Sequence, residues 1–427
     1  MQRLALVLYQ VVGILLLPLL ILALLIRSRK QPEYRHRVHE RLGFCSLAKS
    51  KNGIIIHGAS LGEITSLKPF ILGVIKALPN TPVTVTSFTP AGSKQIKHLF
   101  GDSVNHSYLP FDSIICNWLF LKRLRPRAVV FMETELWPSL CHQLKQCNAK
   151  LLLINARLSI RSTNQYRKIS PLIRLTLHQF DAIQAQTANN ANRFLSLGAD
   201  SNKITVKGNL KFDIAMAPDL TDRISRLKKT LDNRAVWVIG SSHIDEEDLL
   251  LNVYQILKKK LPRLLLILAP RHPERYNPIK QKLNKRNLTY SLRSKDTQLS
   301  GDADIWLIDT IGELLLFYAV GDICTVAGSF DNTGGHNTLE PALFGKAITV
   351  GPNTFGTLEL NDALLKANAL LQHNSLKTEK ISNDLLDIFN SKQKQKELGH
   401  NASCFLAANR GATQHAISTL QSFIEPN

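Results

Sequence analysis

Ile54-Ile55-Ile56-His57 runs directly into Gly58-Ala59-Ser60-Leu61-Gly62-Glu63. A short β-branched run predicts a buried strand, and Ser60 with Glu63 three positions on predicts a capped helix start. Strand, tight loop and helix form the unit from which a helix-flanked parallel sheet is built. The unit recurs at Val83-Thr84-Val85-Thr86, Ala128-Val129-Val130-Phe131, Leu151-Leu152-Leu153-Ile154 and Ala182-Ile183-Gln184-Ala185. Amphipathic stretches of helical length separate the runs. After a linker over Ile214 to Asp219 the rhythm restarts, with runs from Ala235 to Ile239, Leu264 to Leu268, Ile305 to Ile308, Ile323 to Val326 and Ala347 to Val350. A chain of 427 residues is too long for one ordinary core, so two doubly wound halves facing a cleft are expected.

In open parallel sheets, ligands bind beyond the carboxyl ends of the strands, so the residues after each run are the candidates. Gly58-x-Ser60-x-Gly62 matches a hydrolase nucleophile elbow, but only one strand precedes it, whereas an elbow follows several. Ser60 reads instead as a helix cap with Glu63 as its partner. The functional alternative makes Glu63 a general base, although the helix dipole that keeps it ionised also lowers its basicity. Glu133 and Glu135 end the third run ahead of a helix start at Trp137-Pro138, and paired carboxylates at a strand end point to chemistry. Asn155-Ala156-Arg157-Leu158-Ser159 occupies the same topological position one strand later. Lys211, within Gly208-Asn209-Leu210-Lys211-Phe212-Asp213, reads from the residues alone as a solvated loop lysine beside Asp213.

In the second half, Gly334-Gly335-His336-Asn337-Thr338-Leu339-Glu340-Pro341 follows the run ending at Ala327 through Gly328-Ser329. A glycine loop opening a helix at Asn337 or Thr338 is an anion site, and Glu340 can accept from a sugar's hydroxyls. The alternative is a plain tight turn with Glu340 capping the helix. Arg271 and His272 follow another strand, where arginine suits phosphate or carboxylate. Gly240-Ser241-Ser242-His243 precedes Asp245-Glu246-Glu247-Asp248, whose acids favour capping over phosphate binding. Asp302-Ala303-Asp304 has the form of a metal motif but precedes its strand and lies at the wrong edge, so no metal is expected.

Lys and Arg number 53 against 33 Asp and Glu, and 53 − 33 = +20, which predicts acidic partners. Aromatic residues make up 7% and are not interleaved with a basic stripe, so nucleic acid is not expected among them. The six cysteines, at 45, 116, 141, 147, 324 and 404, include no Cys-x-x-Cys pair, and reduced thiols are expected. Leu4 to Ile26 is apolar apart from Tyr9, Gln10 and Gly13, long enough for a hydrocarbon layer of ~30 Å. Arg27-Ser28-Arg29-Lys30, with Arg35, Arg37 and Arg41, then places the following chain on the cytoplasmic side. Residues 1–30 are therefore expected to form a membrane anchor. A buried or surface-lying helix is the alternative, since Pro18 interrupts the run.

Together, Gly58 to Glu63, Tyr108-Leu109-Pro110-Phe111-Asp112, Glu133 to Pro138, Asn155 to Ser159, Gly208 to Asp213, Pro270-Arg271-His272-Pro273-Glu274-Arg275 and Gly334 to Pro341 resemble, in order, the motifs of the Kdo (3-deoxy-D-manno-octulosonic acid) transferases. The resemblance runs from the anchor to about Pro352. It implies an α/β GT-B glycosyltransferase with an N-terminal membrane anchor helix and two Rossmann-like domains: 31–216 on the acceptor side, and 217–427, which binds the CMP-sugar and returns a terminal helix to the first domain. It further implies transfer of Kdo from CMP-Kdo, a co-substrate rather than a cofactor, onto a lipid A precursor (lipid IVA) at the cytoplasmic face of the inner membrane. An anionic membrane surface is a further implied partner. By position, Glu63 is the implied general base, and Glu133 and Lys211 the implied transition-state stabilisers. Arg271, His272, Gly312, Glu313, Leu314, Asn337, Thr338, Leu339 and Glu340 are the implied CMP-binding residues. Asp245, Thr338 and the stretch Asn353-Thr354-Phe355-Gly356-Thr357 depart from the family's usual pattern and bear on donor-loop geometry. Another membrane-associated GT-B nucleotide-sugar transferase is the second reading.

Overall fold

A computed structural model of the chain describes residues 2–45, 50–214, 216, 219–232, 234–296, 299 and 303–425. It divides into two compact units, Met1–Asp213 together with Asn409–Asn427, and Ile214–Ala408. The linker positions 215, 217 and 218, and with them the expected boundary residue 217, lie outside the described residues.

The first unit is a seven-stranded parallel sheet of order β3-β2-β1-β4-β5-β6-β7. Its strands are β1 (Ile54–His57), β2 (Val83–Ser87), β3 (Asn105–Tyr108), β4 (Ala128–Met132), β5 (Lys150–Ala156), β6 (Ala182–Ala185) and β7 (Ile204–Val206). The central strands are buried on both faces, which is why they read as unbroken apolar runs rather than alternating ones. The strand order reverses at β1 and β4, which pair in register from Ile54 with Ala128 to His57 with Phe131. The loops after these two strands therefore flank the crevice where open sheets bind ligands.

The last helix, Ala412–Ile424, belongs to this unit, and its Ala416, Ile417, Leu420 and Ile424 enter the core with Ile64, Phe70 and Val74. Asp213 fixes its start, accepting from Gly411 N at 2.8 Å and Thr413 N at 2.6 Å. Asp213, the neighbour of Lys211 in sequence, is thus a helix anchor.

The second unit is another seven-stranded parallel sheet, of order β10-β11-β9-β8-β12-β13-β14. Its strands are β8 (Val236–Ser242), β9 (Leu265–Pro270), β10 (Tyr290–Leu292), β11 (Ile305–Leu307), β12 (Ile323–Val326), β13 (Ala347–Val350) and β14 (Leu371–Gln372). Here the order reverses at β8 and β12. Asp304 precedes β11 and is held by Lys258 Nζ at 3.0 Å and Thr289 Oγ1 at 2.8 Å. Asp302 lies outside the described residues.

Arg41, one of the basic residues that follow the apolar run, is 1% exposed. Its guanidinium sits 4.2 Å from the Tyr108 ring centre and 5.0 Å from that of Phe88, and Nη2 donates to the Phe88 carbonyl at 2.8 Å. Short-range burial against aromatic faces has taken this charge out of the solvated set. Arg41→Glu should therefore unfold the first unit rather than weaken a ligand, costing on the order of 3–5 kcal/mol as an uncompensated buried charge. A urea melt checks this.

Candidate active site

In the first unit the helix Leu61–Ala77 starts on Ser60, whose Oγ accepts from Glu63 N at 3.3 Å. The Glu63 carboxylate folds back over this start, Oε1 accepting from Ser60 Oγ at 2.8 Å and Oε2 from Ala59 N at 2.9 Å. The capping arrangement expected from the sequence is present, with Glu63 reaching one residue further back than the usual box. Both oxygens retain lone pairs, since each accepts a single bond. Burial is the largest influence on Glu63 and pushes its carboxyl above the usual range against those two hydrogen bonds, with the charges of Glu135 and Glu133 acting in the same upward direction. The carboxylate whose basicity the helix start should depress is instead made more basic.

Glu133, first after β4, sits at φ 60°, a left-handed conformation that costs a non-glycine residue energy and is concentrated at functional sites. Its Oε2 accepts from Arg157 Nε at 2.8 Å, so the loop after β5 holds it from the side. Glu135 accepts from Trp137 Nε1 at 2.9 Å and stands 3.5 Å from His57 Nε2. His57 is fully buried at the end of β1, with Nδ1 3.0 Å from Thr86 Oγ1. In the sequence it is only the end of a strand. A polar residue closing a run of three isoleucines was the available signal.

Lys211 sits on the single turn Leu210–Phe212, capped by Asn209 Oδ1, which accepts from Lys211 N at 3.0 Å. Asn155, also left-handed at φ 53° and at the end of β5, accepts from Leu210 N at 3.1 Å. That bond ties the Lys211 turn to the carboxyl edge of the sheet. Among the described residues the exposed Lys211 ammonium has no hydrogen bond or ion pair, leaving it open to an anion.

The second unit gathers donors at its own reversal point. Gly334 at φ 96° and Gly335 at φ 88° both require glycine, and a Cβ on Gly334 would lie 2.7 Å from the Phe355 ring. The helix beyond them is only Leu339–Ala342, starting later than expected, since Thr338 turns inward to donate to Asn361 Oδ1 at 2.9 Å. One turn carries little macrodipole. Positive charge for an anion comes instead from Arg271, whose exposed guanidinium is unpaired among the described residues.

Around Arg271 stand three histidines. His243 and His336 stack at 5.1 Å with their Nε2 atoms 2.8 Å apart, and His272 meets His243 edge-on at 5.5 Å. Burial, then the Arg271 charge, pushes His336 down to about 4, so it is neutral at neutral pH. Arg271 also acts on Glu340, whose carboxyl burial pushes up against a 3.4 Å bond from Asn337 Nδ2. In the sequence His243 only closes the turn ahead of the acidic helix start, and its meeting with His336 across 93 residues has no local signal.

Glu246 holds this cluster together. Fully buried, it accepts from His243 N at 2.9 Å, Gly328 N at 2.6 Å and Phe330 N at 3.1 Å, joining the loops after β8 and β12. Desolvation raises its carboxyl to about 7 despite those donors. Gly312 has φ 85°, and Glu313 beside it is engaged by Arg293, Arg223 and Thr310. The Glu313 carboxylate is thus already engaged within its own unit.

A family model described as 3-Deoxy-D-manno-octulosonic-acid transferase (kdotransferase) matches residues 36–214. The chain is 35% identical over 413 residues to the 3-deoxy-D-manno-octulosonic acid transferase of Haemophilus influenzae, covering 96% of each protein. It resembles the crystal structure of a glycosyltransferase from Rickettsia africae, with a TM-score of 0.53 and 14% identity over 88% of this chain and 100% of that one. The UDP-GlcNAc 2-epimerase of Neisseria meningitidis superposes with a TM-score of 0.55 at 16% identity, over 87% of this chain and 100% of that one. Both structures report on fold alone, and the fold is GT-B.

Proposed function

The chain belongs to the Kdo transferase family, and from that premise we propose that it moves Kdo from CMP-Kdo to a lipid A precursor, lipid IVA, in lipopolysaccharide biosynthesis. The observation that carries the chemistry is Glu63, a carboxylate made more basic by burial and by Glu133 and Glu135 at the reversal point of the first sheet. In the proposed step the acceptor hydroxyl attacks the anomeric carbon, its proton passes to Glu63, and CMP leaves with the electrons of the broken bond. No covalent intermediate forms, so the configuration inverts.

Glu133 opposes the positive charge that grows on the sugar, and Lys211 pairs with the Kdo carboxylate. In the second unit Arg271 neutralises the single phosphate of CMP without a divalent ion, with His272 as a further donor. The backbone of Gly312, Glu313 and Leu314 holds the nucleotide, and Asn337, Thr338, Leu339 and Glu340 form the rest of its site. No cofactor is required, because CMP-Kdo is a co-substrate. The reaction is placed at the cytoplasmic side of the inner membrane, where the apolar helix meets an anionic surface.

Nuclear magnetic resonance of the first-formed product tests the step. Inversion at the anomeric carbon is expected, and retention would rule out the single in-line displacement and with it the role given to Glu63. The pH dependence offers a second check. Glu63 must be ionised to act, so kcat/KM should fall as pH drops through its raised pKa. Glu135→Gln removes a neighbouring negative charge and lowers that pKa, so the acid limb should move to lower pH. An unmoved limb would mean that the Glu135 charge does not reach the base.

A further inference from the structure

The apolar helix Gln2–Ser28 does not leave the first unit. Tyr9 Oη donates to Asp112 Oδ2 at 3.0 Å and Gln10 Nε2 to Ser139 Oγ at 3.3 Å. Gly13 passes so close that an added Cβ would lie 3.3 Å from the Asp112 carbonyl. Leu6, Leu24 and Ser28 are buried, and Leu17 and Ile21 pack on Tyr34 and Phe111. Positions 6, 9, 10, 13, 17, 21, 24 and 28 fall on one face at helical spacing. That stripe runs along the whole helix, and its partners are all residues of the same unit.

A helix crossing the bilayer occupies about 30 Å of hydrocarbon with most of its length. This helix could do so only by carrying Asp112, Ser139 and the helix Ile114–Leu124, with Lys122 and Arg123, into the hydrocarbon. Charges placed there are expensive. The remaining faces are apolar and open, Leu4, Leu8, Leu15, Leu19, Leu22 and Ile26 each being more than half exposed. Ile115 and Trp118, 51% and 53% exposed on the neighbouring helix, add to the apolar surface. Lys122 stands 4.8 Å over the Trp118 ring, a pairing of aromatic and cation suited to the headgroup boundary. Arg27, Arg29 and Lys30 follow the helix.

We propose that this helix lies in the plane of one leaflet of an anionic bilayer, its inner stripe strapped to the first unit and its outer faces in the acyl region. The chain then sits on the membrane from one side. Asp112 is the strap, and it also accepts from Ser139 N at 3.1 Å and Leu140 N at 2.7 Å at the start of Pro138–Gln146. The membrane helix is thereby joined by one carboxylate to the helix that follows Glu133 and Glu135.

The test uses the full chain in inverted inner-membrane vesicles, with a hydrophilic, protease-cleavable tag ahead of Gln2 and Cys147→Ser. Cys404, exposed in the second unit, remains as a reference for an impermeant maleimide. The expected result is tag cleavage and Cys404 labelling from the same side of the vesicle. A tag cleaved only from the side opposite Cys404 would establish a spanning helix and overturn the proposal. Protein that stays in solution when mixed with phosphatidylglycerol vesicles would overturn it as well. Neither readout depends on Kdo chemistry, so the proposal and the assigned reaction can fail separately.

Discussion

Glu63→Gln should lose about 10²–10⁴-fold in kcat, the range for removing a positioned general base, while the Kd for CMP-Kdo stays near that of the wild type. Glutamine keeps the shape and can still accept from Ala59 N, so the helix start at Ser60 should survive and circular dichroism should not change. The donor residues assigned above lie in the second unit, which is why donor affinity should be indifferent. Ser60→Ala separates chemistry from capping. It removes one hydrogen bond to the carboxylate, which should raise the Glu63 pKa further and leave substantial activity at neutral pH and above. If Glu63→Gln turned over at the wild-type rate, Glu63 would be only the helix cap that the short-range geometry also describes. If Ser60→Ala were as inactive as Glu63→Gln, the hydroxyl would have to enter the chemistry.

The second large effect is on stability. Glu246→Ala should destabilise the second unit by on the order of 3 kcal/mol or more, since three buried backbone N–H groups lose their acceptor at about 1–3 kcal/mol each. The orphaned groups belong to His243, Gly328 and Phe330, so the loops after β8 and β12 should loosen together and CMP-Kdo affinity should fall with stability. Asp245→Ala is the control. Asp245 is exposed one residue away, and its loss should stay within about 0.5 kcal/mol. Urea denaturation of the two variants checks the contrast, and equal midpoints would show that Glu246 is not the tie between the loops.

Much of this architecture was legible because the central strands are buried on both faces and so announce themselves as apolar runs. The four strands that no run marked, β3, β7, β10 and β14, are the outermost strand on each side of each sheet. An edge strand has one open side, and Asn105-His106-Ser107-Tyr108 or Leu371-Gln372 carries no buried pattern. The carboxylates Glu63 and Glu133 were legible from topology, because Glu133 directly follows β4 and Glu63 stands in the first turn of the helix after β1, both at the reversal point. The stacking of His243 on His336 was not, since it depends on how two distant loops meet. Arg41 reads in the sequence as one more charge after the apolar run, whereas its neighbours in space are Phe88 and Tyr108. The apolar helix was legible as membrane-seeking, but only its contacts with Asp112 and Ser139 reveal that one face is already taken.

The central claim is tested most directly by following CMP release from CMP-Kdo by the wild-type chain, with and without lipid IVA. Release that needs lipid IVA, that is replaced by no other nucleotide sugar, and that disappears in Glu63→Gln is the predicted result. No release from CMP-Kdo with lipid IVA, together with turnover of a different nucleotide sugar, would contradict it.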